Sequence, residues 1–130
     1  STGPEEFCLN FIKQTLKDFR LKPEDVQATL TELTAITIAK SISRAQSVDE
    51  VFVCGGGCKN TYLMERLLKN LRDFNQPEPK STSFLGIDPQ WVEALTFAWM
   101  AKKRIHRETT SLPSVTGAKR KAVLGAVYCP

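Results

Sequence analysis

Three consecutive glycines, Gly55, Gly56 and Gly57, stand between a short apolar stretch and a helix that we predict to start at Asn60. The preceding stretch, Val51 to Cys54, is continuous and partly β-branched, which is typical of a strand buried on both faces. Glycines let a ligand approach the backbone closely, and a helix N-terminus offers free N–H groups and a positive dipole end. Together they suit a phosphate or a nucleoside sugar. The motif is neither a Walker loop nor a G-x-G-x-x-G fingerprint, so a tight strand-to-helix turn explains it nearly as well.

Glu93 is the second candidate, because it interrupts an otherwise apolar helix. From Trp91 to Ala101 only Glu93 and Thr96 are polar. A helix this apolar is expected to be buried nearly all round. A carboxylate in its first turns either lines a cleft or sits in solvent, where it favours the helix dipole. The sequence leaves these two interpretations equal.

A third candidate is the loop Leu112 to Ala118, which contains Pro, Ser, Thr and Gly. This composition predicts an ordered loop before a last strand. Its hydroxyl groups could bind a ligand or cap backbone groups, and the second interpretation is favoured.

The cysteines do not predict a metal site. Of Cys8, Cys54, Cys58 and Cys129, only Cys54 and Cys58 are close in sequence, and the single histidine is His106. Zinc sites usually show two tightly spaced ligand pairs. We therefore expect no metal site and four reduced thiols.

The elements that would position these residues alternate between helix and strand, which predicts an α/β or α+β domain with helices flanking a small sheet. Asp88 and Pro89 are expected to cap and start the last long helix. The predicted helices are Phe7–Phe19, Pro23 to Ser43 or Arg44, a helix capped by Asn60 that includes Leu63–Leu71, and Asp88 to about His106; the predicted strands are Val51–Cys54, Ser81–Leu85 and Ala122–Tyr128.

Composition excludes several classes of protein. The 130 residues suffice for one domain, and 42% hydrophobic with 25% charged residues is ordinary globular composition. No apolar run approaches the roughly 20 residues of a membrane helix, and the first residues do not resemble a secretory signal. The formal charge is +4, but the basic clusters Lys102–Arg104 and Lys119–Lys121 lack interleaved aromatic residues. Neither nucleic acid nor a membrane is an expected partner.

Several stretches follow one another in an order that is specific as a set. They are Ser1-Thr2-Gly3 with Glu6-Phe7; Val53–Gly57 with Asn60 and Leu63–Leu67; Gly86–Pro89 with Glu93–Leu95; Phe97–Ala101; and Leu112–Ala118 with Leu124–Ala126. Together they resemble the C-terminal part of the anhydro-N-acetylmuramic acid kinase family. The resemblance implies an α/β fold: residues 1–130 would be a single domain, the C-terminal nucleotide-binding lobe of a two-lobed, actin-like or ribonuclease H-like ATPase fold. The chain would begin inside the enzyme and end at its terminus near Pro130.

The resemblance also implies an activity. The family opens the 1,6-anhydro ring of anhydro-N-acetylmuramic acid by hydrolysis and phosphorylates the sugar, using ATP and Mg²⁺, during peptidoglycan recycling in the bacterial cytoplasm. Carried over to this sequence, Gly55, Gly56, Gly57 and Asn60 would face the nucleotide, and Glu93 would reach the sugar or its neighbourhood.

What the chain lacks is equally informative. The family's Ser-Gly-Thr-Ser phosphate loop is not found in this sequence, and the resemblance implies that the catalytic aspartate also belongs to an N-terminal lobe, so we expect the isolated chain to be inactive. Two alternatives are a lobe of another sugar kinase of the same superfamily and a non-catalytic binding or interaction module. A homodimer is left open.

Overall fold

The computed structural model describes residues 7–45 and 48–128. The predicted motif at Ser1-Thr2-Gly3 and Glu6 and the fourth cysteine, Cys129, lie outside the described residues. The helices are α1 (Leu9–Leu16), α2 (Pro23–Ser43), α3 (Thr61–Asp73), α4 (Val92–Ile105) and the single turn α5 (Pro113–Thr116); the strands are β1 (Val51–Val53) and β2 (Pro79–Ser81). Two 3-10 turns, Gly56–Lys59 and Thr82–Leu85, follow the two strands.

Helix α2 begins at Pro23 and ends at Ser43, which confirms the predicted bounds. Pro23 occupies the first turn, where its missing N–H costs nothing, and Glu24 and Asp25 favour the positive end of the helix. The helix packs against α3 through two small residues that are fully buried, Ala35 and Ala39. The small side chains let the two helices approach closely, and this contact forms the centre of the described core.

That core is small. Its buried apolar side chains come from α2, α3 and β1, with half-buried neighbours around them; the buried ones are Ala35, Ala39, Val51, Leu67 and Leu71. Helix α1 is shorter than predicted and buries no side chain. Between α1 and α2 lies an apolar groove of about 400 Å³.

The two strands pair in parallel, with Val51 opposite Pro79 and Val53 opposite Ser81. This confirms an α/β domain with a small sheet and flanking helices. The predicted strand at Ser81–Leu85 is wrong, because the Ser81 hydroxyl accepts a hydrogen bond from the Ser83 N–H and starts a 3-10 turn there. The preceding strand has no apolar alternation in its sequence, and only its pairing with β1 defines it.

Helix α4 begins later than predicted. Asp88 does not cap it: its carboxylate accepts from the Gln90 N–H at 2.8 Å, and its carbonyl accepts from the Trp91 N–H at 2.9 Å. These bonds close a separate turn, so the helix begins at Val92. Its end at Ile105, with His106 as the capping residue, agrees with the prediction.

The expectation that this helix is buried nearly all round is wrong for the chain as described. Helix α4 buries none of its residues, and Phe97 is 61% exposed. The reason is that the described residues place no layer over it; its half-buried side chains are confined to a few positions such as Met100.

The predicted last strand, Ala122–Tyr128, is also absent from the structure of this segment. The Ala122 N–H donates to the Ser111 hydroxyl at 2.6 Å, and its carbonyl accepts from the Thr110 N–H at 3.3 Å. These bonds secure one point of the segment, and none joins it to the sheet. Among the described residues, no helix has the length and apolarity to cross a membrane.

Candidate functional site

The chain leaves β1 through a residue that must be glycine. Gly55 has φ 81° and ψ −174°, a region that side-chain-bearing residues essentially never adopt. The next residues form the 3-10 turn Gly56–Lys59, in which the Cys58 N–H donates to the Gly55 carbonyl at 3.2 Å. Gly55 is therefore explained by backbone geometry alone.

The other two glycines are not explained in that way. Neither Gly56 nor Gly57 has a positive φ. A Cβ atom at Gly56 would meet nothing within 4 Å, and one at Gly57 would come only within ordinary contact, 3.7 Å, of the Leu63 side chain. The described fold thus tolerates a larger residue at both positions, and the open space beside Gly56 leaves room for a ligand against the backbone.

Asn60 caps helix α3, as predicted. Its side-chain oxygen accepts a hydrogen bond from the Leu63 N–H at 3.0 Å. The cap satisfies one of the free N–H groups of the first turn and leaves others exposed to an anion. The amide nitrogen of Asn60 makes no hydrogen bond among the described residues, so it remains a donor for a second group.

A backbone hydrogen bond brings two of the three candidate regions together. The Gly55 N–H donates to the Pro89 carbonyl at 2.8 Å, which joins the glycine turn to the segment that enters α4. Both regions follow parallel strands at their carboxyl ends, the edge where open α/β sheets bind ligands. Glu93 lies in the first turn of α4 and is exposed. It makes no ion pair or side-chain hydrogen bond within the described part of the chain.

Two residues at this edge were not predicted as site residues from the sequence. The Thr82 hydroxyl directly follows β2, is buried, and has no hydrogen-bond partner among the described residues. Asp88, expected only as a helix cap, holds the turn whose next residue accepts from Gly55. The hydroxyl-rich run after a weak strand was the available signal for Thr82.

The loop candidate uses its hydroxyl for the backbone. Thr116 donates to the Leu112 carbonyl at 3.0 Å, and the Ala118 N–H donates to the Thr116 oxygen at 3.4 Å. Gly117, with φ 70°, ends the short helix α5. These contacts favour the backbone-capping interpretation, and no described hydrogen bond joins this loop to the glycine turn.

The thiols flanking the glycine turn, Cys54 and Cys58, are both free, as is Cys8. Partial burial raises the pKa of the Cys58 thiol, and the neighbouring Cys54 raises that pKa further. A raised pKa lowers the thiolate fraction, which makes Cys58 a poor nucleophile. Within residues 7–45 and 48–128, no three His, Cys, Asp or Glu side chains lie together as metal ligands.

A polar network that sequence reasoning missed fixes α2 against α3. Glu32 pairs with the Arg66 guanidinium and accepts from the Asn70 amide at 2.9 Å, while Asn70 also donates to the Arg66 carbonyl at 2.8 Å. The hydrogen bond from Arg66, followed by that from Asn70, lowers the pKa of Glu32 to about 2. The spacing of Arg66 and Asn70, one helical turn apart, was the only signal in the sequence. The network positions α3, whose N-terminus forms part of the candidate site.

A parallel sheet edge with a glycine turn and two helix starts is an arrangement that α/β proteins use to bind phosphate-bearing ligands. The model of the anhydro-N-acetylmuramic acid kinase family matches residues 1–130. The chain belongs to that family, which confirms the resemblance identified in the sequence.

Curated relatives named anhydro-N-acetylmuramic acid kinase agree with this assignment. Over the whole length of this chain, it is 44% identical to the protein of Saccharophagus degradans. Over 98% of the length of this chain, it is 49% identical to the protein of Pseudomonas syringae pv. tomato. It is 44% identical to that of Coxiella burnetii, again over 98% of its length. The matched region is 35%, 35% and 34% of these three relatives. The chain therefore spans about a third of the length of the curated relatives it matches.

Proposed function

We propose that this chain is the C-terminal, nucleotide-binding lobe of an ATP-dependent anhydro-N-acetylmuramic acid kinase with an actin-like fold. The complete enzyme would open the 1,6-anhydro ring and phosphorylate the sugar to N-acetylmuramic acid 6-phosphate, within peptidoglycan recycling in the cytoplasm. The hydrogen bond from Gly55 to Pro89 carries the proposal. It unites the glycine turn with the start of α4 in a chain that the family model matches from end to end.

The nucleotide would lie against the glycine turn. The open space at Gly56 admits a phosphate or ribose to the backbone, and the exposed N–H groups at the start of α3 offer donors to an anion. The free amide of Asn60 adds a side-chain donor, and the unpartnered Thr82 hydroxyl adds another at the same edge. These groups fit the phosphate-bearing part of ATP.

ATP supplies the phosphoryl group when bound, and Mg²⁺ neutralises its charge. Protein sites usually hold Mg²⁺ through one or two carboxylates together with the substrate phosphates. The exposed carboxylate of Asp88 suits that limited role, because only one of its oxygens accepts from the Gln90 N–H.

Glu93 would contact the sugar or its neighbourhood from the first turn of α4. A carboxylate accepts hydrogen bonds from sugar hydroxyls, and the absence of a protein partner within the described part leaves both of its oxygens for this purpose. The general base that activates water is proposed to come from the N-terminal lobe, so the isolated chain would not turn over.

The test is an assay of the full-length protein with 1,6-anhydro-N-acetylmuramic acid and MgATP, in which the product is identified by phosphorus NMR and mass spectrometry. We expect N-acetylmuramic acid 6-phosphate from the full-length protein and none from the 130-residue chain. Absence of a phosphorylated sugar from the full-length protein contradicts the activity. Turnover by the 130-residue chain contradicts the assignment as an incomplete lobe.

A further inference from the structure

Helix α4, together with Trp91 directly before it, exposes large apolar side chains on two opposite sides. Trp91, Leu95 and Trp99 are 64%, 49% and 49% exposed, and Phe97 and Ile105 are 61% and 73% exposed. At 3.6 residues per turn, Phe97 lies roughly opposite the side that carries Trp91, Leu95 and Trp99. The larger exposed apolar side therefore carries Trp91, Leu95 and Trp99, and the opposite side carries Phe97.

Helices of folded proteins rarely expose large apolar side chains on opposite sides. A helix that is apolar all round is normally buried, and soluble monomers rarely leave large contiguous apolar patches open to water. Leu95 and Trp99, with Ile87, also line a shallow apolar groove of about 280 Å³. The groove offers a concave seat for apolar side chains from another layer.

We propose that α4 is a core helix of the full-length protein, covered by the rest of the same polypeptide. This inference rests on the proposed function for the existence of that remainder, and the length of the relatives supports it, because the matched region is only 35% of the first two. A second copy of the chain is a poorer occupant. A two-fold contact covers one side of a helix, whereas α4 is apolar on opposite sides.

Burial of α4 has a consequence for Glu93, the only acidic side chain in this helix. The Thr96 hydroxyl already donates to the Val92 carbonyl at 2.7 Å, so the helix can bury it without loss. Glu93 has no such partner, and a buried carboxylate without a partner is costly. The covering layer therefore leaves a polar opening at Glu93, beside the turn that joins Pro89 to Gly55.

Hydroxyl-radical labelling of the full-length protein, read residue by residue by mass spectrometry and corrected for intrinsic reactivity, tests this inference. Leu71, which is fully buried, is the internal standard for a core side chain. We expect Trp91, Leu95, Phe97 and Trp99 to label at rates close to that of Leu71. The rates should lie about fivefold or more below those that half-exposed side chains would give, because core side chains are rarely more than about a tenth exposed.

Separating the labelled protein by size identifies the occupant. Protection in the monomer fraction supports a layer from the same polypeptide. Protection confined to a dimer fraction, or labelling of the four side chains at the rate of half-exposed groups, overturns the inference. The labelling uses neither ATP nor sugar, so an inactive protein with a protected α4 contradicts the proposed function alone.

Discussion

Substitutions at two adjacent glycines in the turn after β1 form a matched pair, of which one should lower thermal stability and the other should weaken ATP binding. Gly55 has φ 81° and ψ −174°, whereas Gly56 has no positive φ and open space where a Cβ would stand. Gly55→Ala forces a side chain into a glycine-only region, at a cost of about 1–3 kcal/mol. Gly56→Ala costs the fold nothing of that kind.

The full-length protein carrying each substitution is compared by thermal unfolding and by steady-state kinetics with ATP. For Gly55→Ala we expect Tm to fall by roughly 2–12 °C, since 1 kcal/mol shifts Tm by about 2–4 °C in domains of 150–250 residues. For Gly56→Ala we expect an unchanged Tm and a KM for ATP raised about tenfold or more, because one extra methyl in a packed contact costs about 1–3 kcal/mol.

The two variants distinguish a role in folding from a role in ATP binding. If Gly56→Ala leaves the KM for ATP at the wild-type value, the space beside Gly56 is not where the nucleotide approaches. If Gly55→Ala leaves Tm unchanged, the backbone conformation at Gly55 differs in the full-length protein.

Three further substitutions in the full-length protein test other parts of the account. Asn60→Asp keeps a good helix cap but places a negative charge at the proposed phosphate position, so the KM for ATP should rise about tenfold while Tm stays unchanged. An unchanged KM for ATP would show that Asn60 does not contact the nucleotide. Glu93→Gln should lower kcat/KM for the anhydro sugar by about 10- to 100-fold, the range expected when a hydrogen bond to a charged group is lost, and should leave Tm unchanged. The control, Glu65→Gln, changes an exposed residue on α3 and should alter neither kcat/KM nor Tm. Similar kinetics for the two variants would exclude a role of Glu93 in sugar binding. The pKa of Glu32 is lowered to about 2 by Arg66, so the stabilising contribution of this carboxylate is complete above about pH 4.5 and is lost as the pH falls towards 2. Between these pH values, the stability of Glu32→Gln, followed by circular dichroism during acid denaturation, should therefore change less with pH than that of the wild type. An identical pH profile would show that the pair contributes nothing to stability.

Local signals in the sequence were enough to predict the elements that define the glycine turn. Pro23 with two acidic residues located the start of α2, and Asn60 located the start of α3. The β-branched run Val51–Val53 located β1. Each of these signals acts within a few residues of the element it specifies, so no tertiary information was required.

The failures arose where pairing or turns between elements decide the outcome. Strand β2 has a polar sequence and exists through its pairing with β1. Asp88 and Pro89 form a turn of their own before α4, although the same residue types often cap and start helices. The hydrogen bond from Gly55 to Pro89 joins residues 34 positions apart, and no local pattern predicts it.

The burial of α4 differs from both of these cases. Its sequence predicts a core helix, and the described chain exposes it. The curated relatives are about three times as long as the matched region. The exposure of α4 is therefore the basis of the proposal that the rest of the polypeptide covers this helix.

Hydrogen exchange of the full-length protein with and without MgATP, followed by mass spectrometry, tests the central claim that the glycine turn faces the nucleotide. MgATP should slow exchange in peptides that cover Gly55 to Tyr62, while peptides from the buried middle of α2, such as Thr31 to Ala39, should exchange equally in both states. Slowed exchange confined to peptides outside Gly55–Tyr62, under conditions where ATP is bound, would contradict the account.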